Sequence, residues 1–398
     1  MSIKLAIHGG NRELHARWPE WPMHDRTEER ALLSVLRSGK WWYGDWVRRF
    51  ERDFASFQGV NHAVTTTSGT AALEIALAVL GVGPGDEVIV PAYTFVATAS
   101  AALRVRARVV FADVVPQTLD MDPADLARKI TRRTRAIIPV HIAGNICDMD
   151  RINSIARRRR IPVVEDACHA WGSKWKGRGA GGLGACGAFS FQVSKNITAG
   201  EGGMMVTNSA ALAERLQAFT HVGRRLGRAW YAHFTRATNA RMTEFQAAVL
   251  CCQLARLKAQ TLRRQANARI LDRGLGAIPG ISPQFTDPRH TRRSYHFYIF
   301  RVDSRVMGVP AARFASAISA EGVPCMTGWS HPVNANPLFT GRDGGAGVGC
   351  GGGRCLEAER ACRDAIWITH RILLAPPSAM RGIVRAVAKV VSLRSQLR

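Results

Sequence analysis

Lys195 stands between two apolar runs, "FSFQVS" before it and "GGMMVT" a few residues after it, in a connection of small and polar residues. Runs of this kind read as strands, and the loops that join strands in α/β proteins carry reactive groups. A lysine drawn partly out of water loses proton affinity, and as a free amine it can condense with a carbonyl group. The ordinary alternative is a solvated surface lysine. Two other stretches offer such an amine its partners. In "TTTSGTAALEIALAVLGVG" a strand end meets a Ser-Gly-Thr turn and then an apolar helix, so the amides of Gly69 and Thr70 are free donors at a helix start, a setting that suits a phosphate dianion. Ser68 there also reads as a plain N-cap. In "VVEDACHAWGS" Asp166 falls where an apolar run ends, and His169 follows three residues on. A buried carboxylate facing a pyridine nitrogen would keep that nitrogen protonated, and a protonated ring is an electron sink; His169 would lie beside a hydroxyl of the same ring. Each of the two also reads as a structural residue.

These groups need a scaffold, and the alternation of segments supplies one. The runs "DEVIVPAYTF", "ARVVFADV", "TRAIIPVHIAG", "IPVVEDA" and "GAFSFQV" are short, apolar and rich in β-branched residues, with helical patterns such as "ATASAALRV" and "DPADLARKI" between them. The pattern predicts an α/β fold with a mainly parallel sheet, whose ligands belong at the carboxyl ends of the strands. From Thr243 to about Leu275 the helical period runs unbroken by proline, long enough to leave one domain and enter the next. A strand candidate at 292–302 and a helix at 310–323 fit a smaller α+β domain. The expected division is 1–255 for the large domain and 256–398 for the small one. The run "GRDGGAGVGCGGG" (341–353) reads as a mobile loop and lacks the lysine of a phosphate-binding P-loop.

Composition narrows the function. A chain of 398 residues can bury a large core. Nine cysteines with no CxxC pair argue against both a disulfide framework and a metal site, so no metal is expected. No stretch is long and apolar enough to span a bilayer and the start lacks a signal-peptide pattern, so the expected location is the cytoplasm, without a membrane partner. The formal charge of +25 raises the question of nucleic acid. The basic residues are scattered, with short clusters such as "ARRRRIP" and "TRRTR" and no nucleic-acid module, so none is expected as a partner.

The order S-G-T, "PAYTFVATA", "VEDACHA", "FSFQVSKNITAGEGG" and "NARMTEFQAA" resembles the DegT-type sugar aminotransferases, pyridoxal 5'-phosphate enzymes of the aspartate-aminotransferase fold (fold type I). The resemblance runs from about Trp18 to Val390. It implies that Lys195 forms the Schiff base with the cofactor and later carries the proton, that Asp166 pairs with the ring nitrogen and that His169 contacts the ring oxygen. Gly69, Thr70 and Ser190, beside Ser68, would hold the phosphate, Phe95 would stack on the ring, and Asn239 would reach the phosphate of the neighbouring subunit in a homodimer with shared sites. Ala240 stands where relatives usually carry an aromatic residue.

The activity so implied is ping-pong transfer of an amino group from glutamine or glutamate to a keto-cyclitol or keto-sugar. The segments 17–55, 292–300 and 357–374 look closer to the branch acting on scyllo-inosose-like ketones and on 3-amino-5-hydroxybenzoate precursors than to the nucleotide-sugar branch. Trp41, Trp42 and Tyr43, after a helix-ending glycine, could form a flat wall against a polyhydroxylated ring or pack in a core. Arg241, His331 and His370 complete the candidate substrate residues. Two further readings stay open beside this one, a dehydratase that aromatises a cyclic ketone and a non-catalytic regulator.

Overall fold

The computed structural model describes residues 4–341 and 351–397. Its main sheet forms from the runs the sequence marks. In chain order these are β1 (His62–Thr66), β2 (Glu87–Pro91), β3 (Arg108–Ala112), β4 (Thr134–Ile137), β5 (Val164–Asp166), β6 (Cys186–Ser190) and β7 (Gly203–Thr207). A group in the order β3-β2-β4 and a group in the order β1-β7-β6-β5 meet through parallel bridges Ile137 to Val163 and Val140 to Asp166. The strands run parallel except β7, which is antiparallel to both β1 and β6.

Along β2 the side chains alternate between two cores. Val88 and Val90 join the cluster of helix α1 (Gly69–Val79), while Ile89 joins Phe50, Phe54 and Leu250 on the other face. A sheet covered on both faces needs apolar residues at successive positions, which is why these strands read as continuous runs. Helix α2 (Val96–Arg104) follows β2 on the α1 side.

Helix α3 (Glu244–Gly276) is 33 residues long and starts on a capping box, with Thr243 and Gln246 exchanging side-chain bonds. Its early residues Ala247, Leu250 and Leu257 pack under the main sheet, and its later residues Ala268, Leu271 and Leu275 lie in a separate core. That second core belongs to an antiparallel sheet of β8 (Ile281–Pro283), β9 (Phe297–Val302), β10 (Met326–Thr327) and β11 (Ala365–Thr369), in the order β8-β9-β11-β10. It is closed by helix α4 (Pro377–Ser392).

The expected division at 255/256 falls inside α3, so no break in the chain marks it. Contacts of the amino-terminal residues cross this division. Leu5 and Leu14 are buried in the C-terminal core, and the Glu321 carboxylate accepts from Ala6 N at 2.8 Å and Glu13 N at 2.9 Å. A leucine buried this way contributes about 2 kcal/mol, enough to hold a short segment to a distant unit. Of the glycine run expected as a loop, residues 342–350 lie outside the described ones. Gly351 lies alongside β3, donating to Val109 O at 2.9 Å and accepting from Phe111 N at 3.0 Å.

Beneath β1, Glu51 of the helix Asp45–Gln58 accepts from Thr65 N and Thr65 Oγ1, each at 2.9 Å. Burial pushes its carboxyl up to about 7. The native state then holds a proton that the unfolded chain releases at lower pH, so stability present in acid is lost as pH rises through the native value. Glu51→Gln keeps an acceptor for Thr65 and removes the charge. It should raise the melting temperature at about pH 8 and leave it unchanged at about pH 4, below the ordinary glutamate pKa; a gain of equal size at both values would contradict the assignment.

Candidate active site

Three strand ends meet in register at one edge of the main sheet. Gly203, the first residue of antiparallel β7, pairs with Thr66 at the end of β1 and with Ser190 at the end of β6. The Ser68 turn crosses directly over Gly203, where a Cβ would lie 2.2 Å from Ser68 O. Ser68 caps α1, its Oγ accepting from Ala71 N at 3.1 Å. Both readings of Ser68 therefore hold together, because a capped helix start is also the place where the next amides stay free. At Gly69 a Cβ would lie 2.7 Å from Ser190 Cβ and 2.9 Å from Cys168 Sγ, so the turn and β6 close on each other only around a glycine.

This edge opens into a cavity of about 540 Å³. Ser68, Gly69, Thr70, Phe95, Asp166, His169, Ser190 and Lys195 all line it. They arrive from the ends of β1, β5 and β6 and the start of α2, where an open α/β sheet places its ligands.

Asp166 is 6% exposed and its two oxygens are separately held. Thr98 Oγ1 donates to Oδ2 at 2.7 Å, and Cys168 N donates to Oδ1 at 3.1 Å. Thr94 lies 2.8 Å from Thr98 Oγ1, and since the Thr98 hydrogen is spent on Asp166, Thr94 is the donor of that pair. The neighbouring Cys168 thiol is pushed up by burial and by the Asp166 charge, so it stays protonated.

His169 is held neutral, because burial and then the nearby Lys195 drive its pKa well below the ordinary range. Its Nδ1 accepts from Ala143 N at 3.3 Å, which leaves the ring hydrogen on Nε2. The Lys195 ammonium lies 6.0 Å from the Trp171 ring centre, and Trp171 is itself anchored through Nε1 to Ser190 O at 3.1 Å. Burial lowers the Lys195 pKa, against the opposing pull of Cys168 and Asp166. These features fit pyridoxal phosphate: a glycine-only cradle at a helix start for the phosphate, a buried carboxylate for the ring nitrogen, an N–H donor for the ring oxygen and an amine for the carbonyl.

Other expected residues lie elsewhere in the chain. Asn239 is exposed and bridged to His221. Trp41 and Trp42 are 50% and 55% exposed, Arg241 stacks on Trp42 at 4.7 Å, and Tyr43 packs edge-on against His221 at 4.4 Å. None of these lines the cavity of its own chain, and neither does exposed His331, whose Nδ1 meets Ser330 Oγ at 2.9 Å. His370 is corrected more firmly. It is 2% exposed and bonded to the main chain at Ser194 O, so the cavity and its ligand are out of its reach.

Sequence reading passed over Thr98, His296, Phe297, Trp329 and Trp367, which do line the cavity. Trp329 and Trp367 meet edge to face at 4.8 Å, and Trp367 Nε1 donates to Tyr93 OH at 3.1 Å. The signal for Thr98 was its place four residues after Thr94 on a helix start, one turn apart. The aromatic wall had none, since its members are spread over β9, β11 and a loop.

Cradle, carboxylate and lysine at this edge of a fold-type-I sheet define a pyridoxal-phosphate-dependent transaminase. Residues 22–387 match the DegT/DnrJ/EryC1/StrS aminotransferase family, and the chain belongs to it. It is 40% identical to the L-glutamine:2-deoxy-scyllo-inosose aminotransferase of Micromonospora echinospora, over 99% of each chain. It is 37% identical to the 3-amino-5-hydroxybenzoate synthase of Amycolatopsis mediterranei, over 94% of this chain and 97% of that one. The crystal structure of a 3-amino-5-hydroxybenzoic acid synthase, 36% identical, superposes with a TM-score of 0.87 over 95% of this chain and 99% of that one.

A lysine with a lowered pKa is a neutral nucleophile over a wider pH range than an ordinary one. The rate at which pyridoxal phosphate condenses with cofactor-free protein, followed by absorbance, should therefore reach half its plateau below about pH 10.4, the value for an ordinary lysine. A midpoint at or above that value would place Lys195 in solvent.

Proposed function

We propose that the enzyme transfers the amino group of glutamine to a keto-cyclitol of the scyllo-inosose type, in the biosynthesis of an aminocyclitol. The observation that carries this reading is the cavity wall. Among the described residues lining it, Lys195 is the only cation and no arginine is present. A nucleotide-linked sugar needs paired cations for its diphosphate, whereas a neutral polyhydroxylated ring needs neutral donors and acceptors beside a flat apolar face. Gln192 and Ser194 offer the first, and Phe297, Trp329 and Trp367 the second. The glutamine:cyclitol aminotransferases among the relatives support the same choice.

The chain's residues divide the work. Gly69, Thr70 and Ser190 hold the phosphate, and exposed Phe95 at the start of α2 covers one ring face. Asp166, held in place by Thr98 and Cys168 N, keeps the ring nitrogen protonated, and His169 donates Nε2–H to the ring oxygen. Pyridoxal phosphate, when bound, supplies the carbonyl that takes up an amino group and the ring that spreads the charge left when the adjacent carbon loses its proton. Lys195, as the free amine, removes that proton and returns it, first for the glutamine half of the exchange and then for the ketone half.

We place the site in a homodimer in the cytoplasm. Exposed Trp41, Trp42, Trp230 and Tyr231 lie on the surface of the single chain, the last two 75% and 80% exposed, and are large apolar side chains that a partner subunit would cover. Asn239 then reaches the partner's phosphate, and Trp41, Trp42, Tyr43 and Arg241 border the partner's cavity, where Arg241, stacked on Trp42, is a single cation and not the pair a diphosphate needs. The described cysteines are all unpaired, in keeping with a reducing compartment.

Protein loaded with pyridoxamine phosphate should regain the pyridoxal absorbance on addition of scyllo-inosose-like ketones and release one amine per turnover. Recovery with nucleotide keto-sugars alone would overturn the cyclitol assignment, and loss of water in place of amine formation would put the chain with the 3-amino-5-hydroxybenzoate branch. Mixing inactive Lys195→Ala and Asn239→Ala subunits should restore activity through dimers with one intact site; no recovery after verified subunit exchange would count against shared sites.

A further inference from the structure

The residues on either side of Lys195 are each held by a histidine from the small sheet. His370 Nε2 lies 3.0 Å from the carbonyl oxygen of Ser194, and His296 Nδ1 lies 3.0 Å from Oδ1 of Asn196. The two histidines stand at the same end of two paired strands, His296 just before β9 and His370 just after β11. Phe297 pairs with Thr369, and His370 N donates to His296 O at 3.0 Å. Their rings stack, 5.6 Å apart and 22° from parallel.

The hydrogen positions follow from the neighbours. Arg264, on α3 and fully buried, places Nη2 3.2 Å from His370 Nδ1. A guanidinium only donates, so Nδ1 accepts and the ring hydrogen is on Nε2, where it reaches Ser194 O. Arg264 Nε also donates to His370 O at 3.3 Å, so one side chain sets both the place and the tautomer of that histidine. Asn196 Nδ2 donates to Ser294 O at 3.1 Å, which turns Oδ1 toward His296 and puts that ring's hydrogen on Nδ1. Burial and neighbouring cations hold both rings neutral.

We propose that His370 and His296 are positioning residues for Lys195, a stacked pair from the small sheet that clamps the residues before and after it and so sets where its amine stands. Asn196 and Arg264 serve the clamp, Asn196 as its second grip and Arg264 by locking the His370 tautomer. The inference rests on the reading of Lys195 as the residue that bonds the cofactor.

The test compares two cofactor forms. Pyridoxal phosphate gains affinity from its bond to Lys195, whereas pyridoxamine phosphate cannot form that bond and reads only the cradle. In His370→Ala, dialysis should show pyridoxal phosphate bound about tenfold more weakly and pyridoxamine phosphate changed by less than about threefold, since one hydrogen bond of ordinary strength corresponds to about that tenfold factor. His370→Gln, whose amide can still donate to Ser194 O, should recover most of the loss. Asn196→Ala gives the same measurement on the other grip if His370→Ala does not fold. Equal weakening of both forms would make the pair merely structural and overturn the proposal, as would no weakening of either. Lys195→Ala is the reference: if it keeps the preference for pyridoxal phosphate, the lysine assignment fails and the clamp with it. If it loses the preference while the clamp variants keep theirs, the clamp alone is refuted.

Discussion

A carboxylate buried at the end of a strand is the constraint around which this site is built. Desolvation disfavours a charge that has no counter-charge, and the groups bonded to Asp166, a threonine hydroxyl and a main-chain amide, are neutral. Two neutral donors orient the carboxylate without satisfying its charge. Lys195 interacts electrostatically with it, and is itself disfavoured as an ion by burial. A protonated pyridine ring settles both problems at once, because it pairs with the carboxylate and lets the lysine remain a neutral amine. A bound pyridinium would thus add the counter-charge that the two neutral donors do not supply.

The main sheet makes that arrangement possible through one reversed strand. With β7 antiparallel, its first residue rather than its last falls beside the ends of β1 and β6, and that residue is a glycine over which the Ser68 turn can cross. A side chain at Gly203 would lift the turn and carry the α1 amides away from Ser190. The long helix α3 then ties this edge to the second core and brings Arg264 to the back of the lysine loop.

Much of this was legible in the sequence, for identifiable reasons. Both faces of β2 are buried, so β2 appeared as a continuous apolar run, and Lys195, Asp166 and the Ser68 turn were visible because each is a polar group set against such a run. His370 was misread because a histidine after an apolar strand gives no sign of which way it faces, and its partners Arg264 and Ser194 lie far off in the sequence. Trp329 and Trp367 escaped for the same reason, since their contact joins a loop to β11. The crossing of residues 5–14 to the C-terminal core was not legible, because such a contact depends on the completed tertiary structure and leaves no local pattern.

That crossing has a consequence for how the molecule is made. Leu5 and Leu14 leave the ribosome well before α4 and the strand β11 that they help to enclose. Contacts of such long separation form late, after their loop-closure entropy has been met. Until β11 and α4 emerge these two leucines have no core to enter, while the main sheet, whose strands are complete by Thr207, can already form. The core that they share therefore stays open in a nascent or refolding chain until β11 and α4 are made, and its apolar side chains stay exposed for that time.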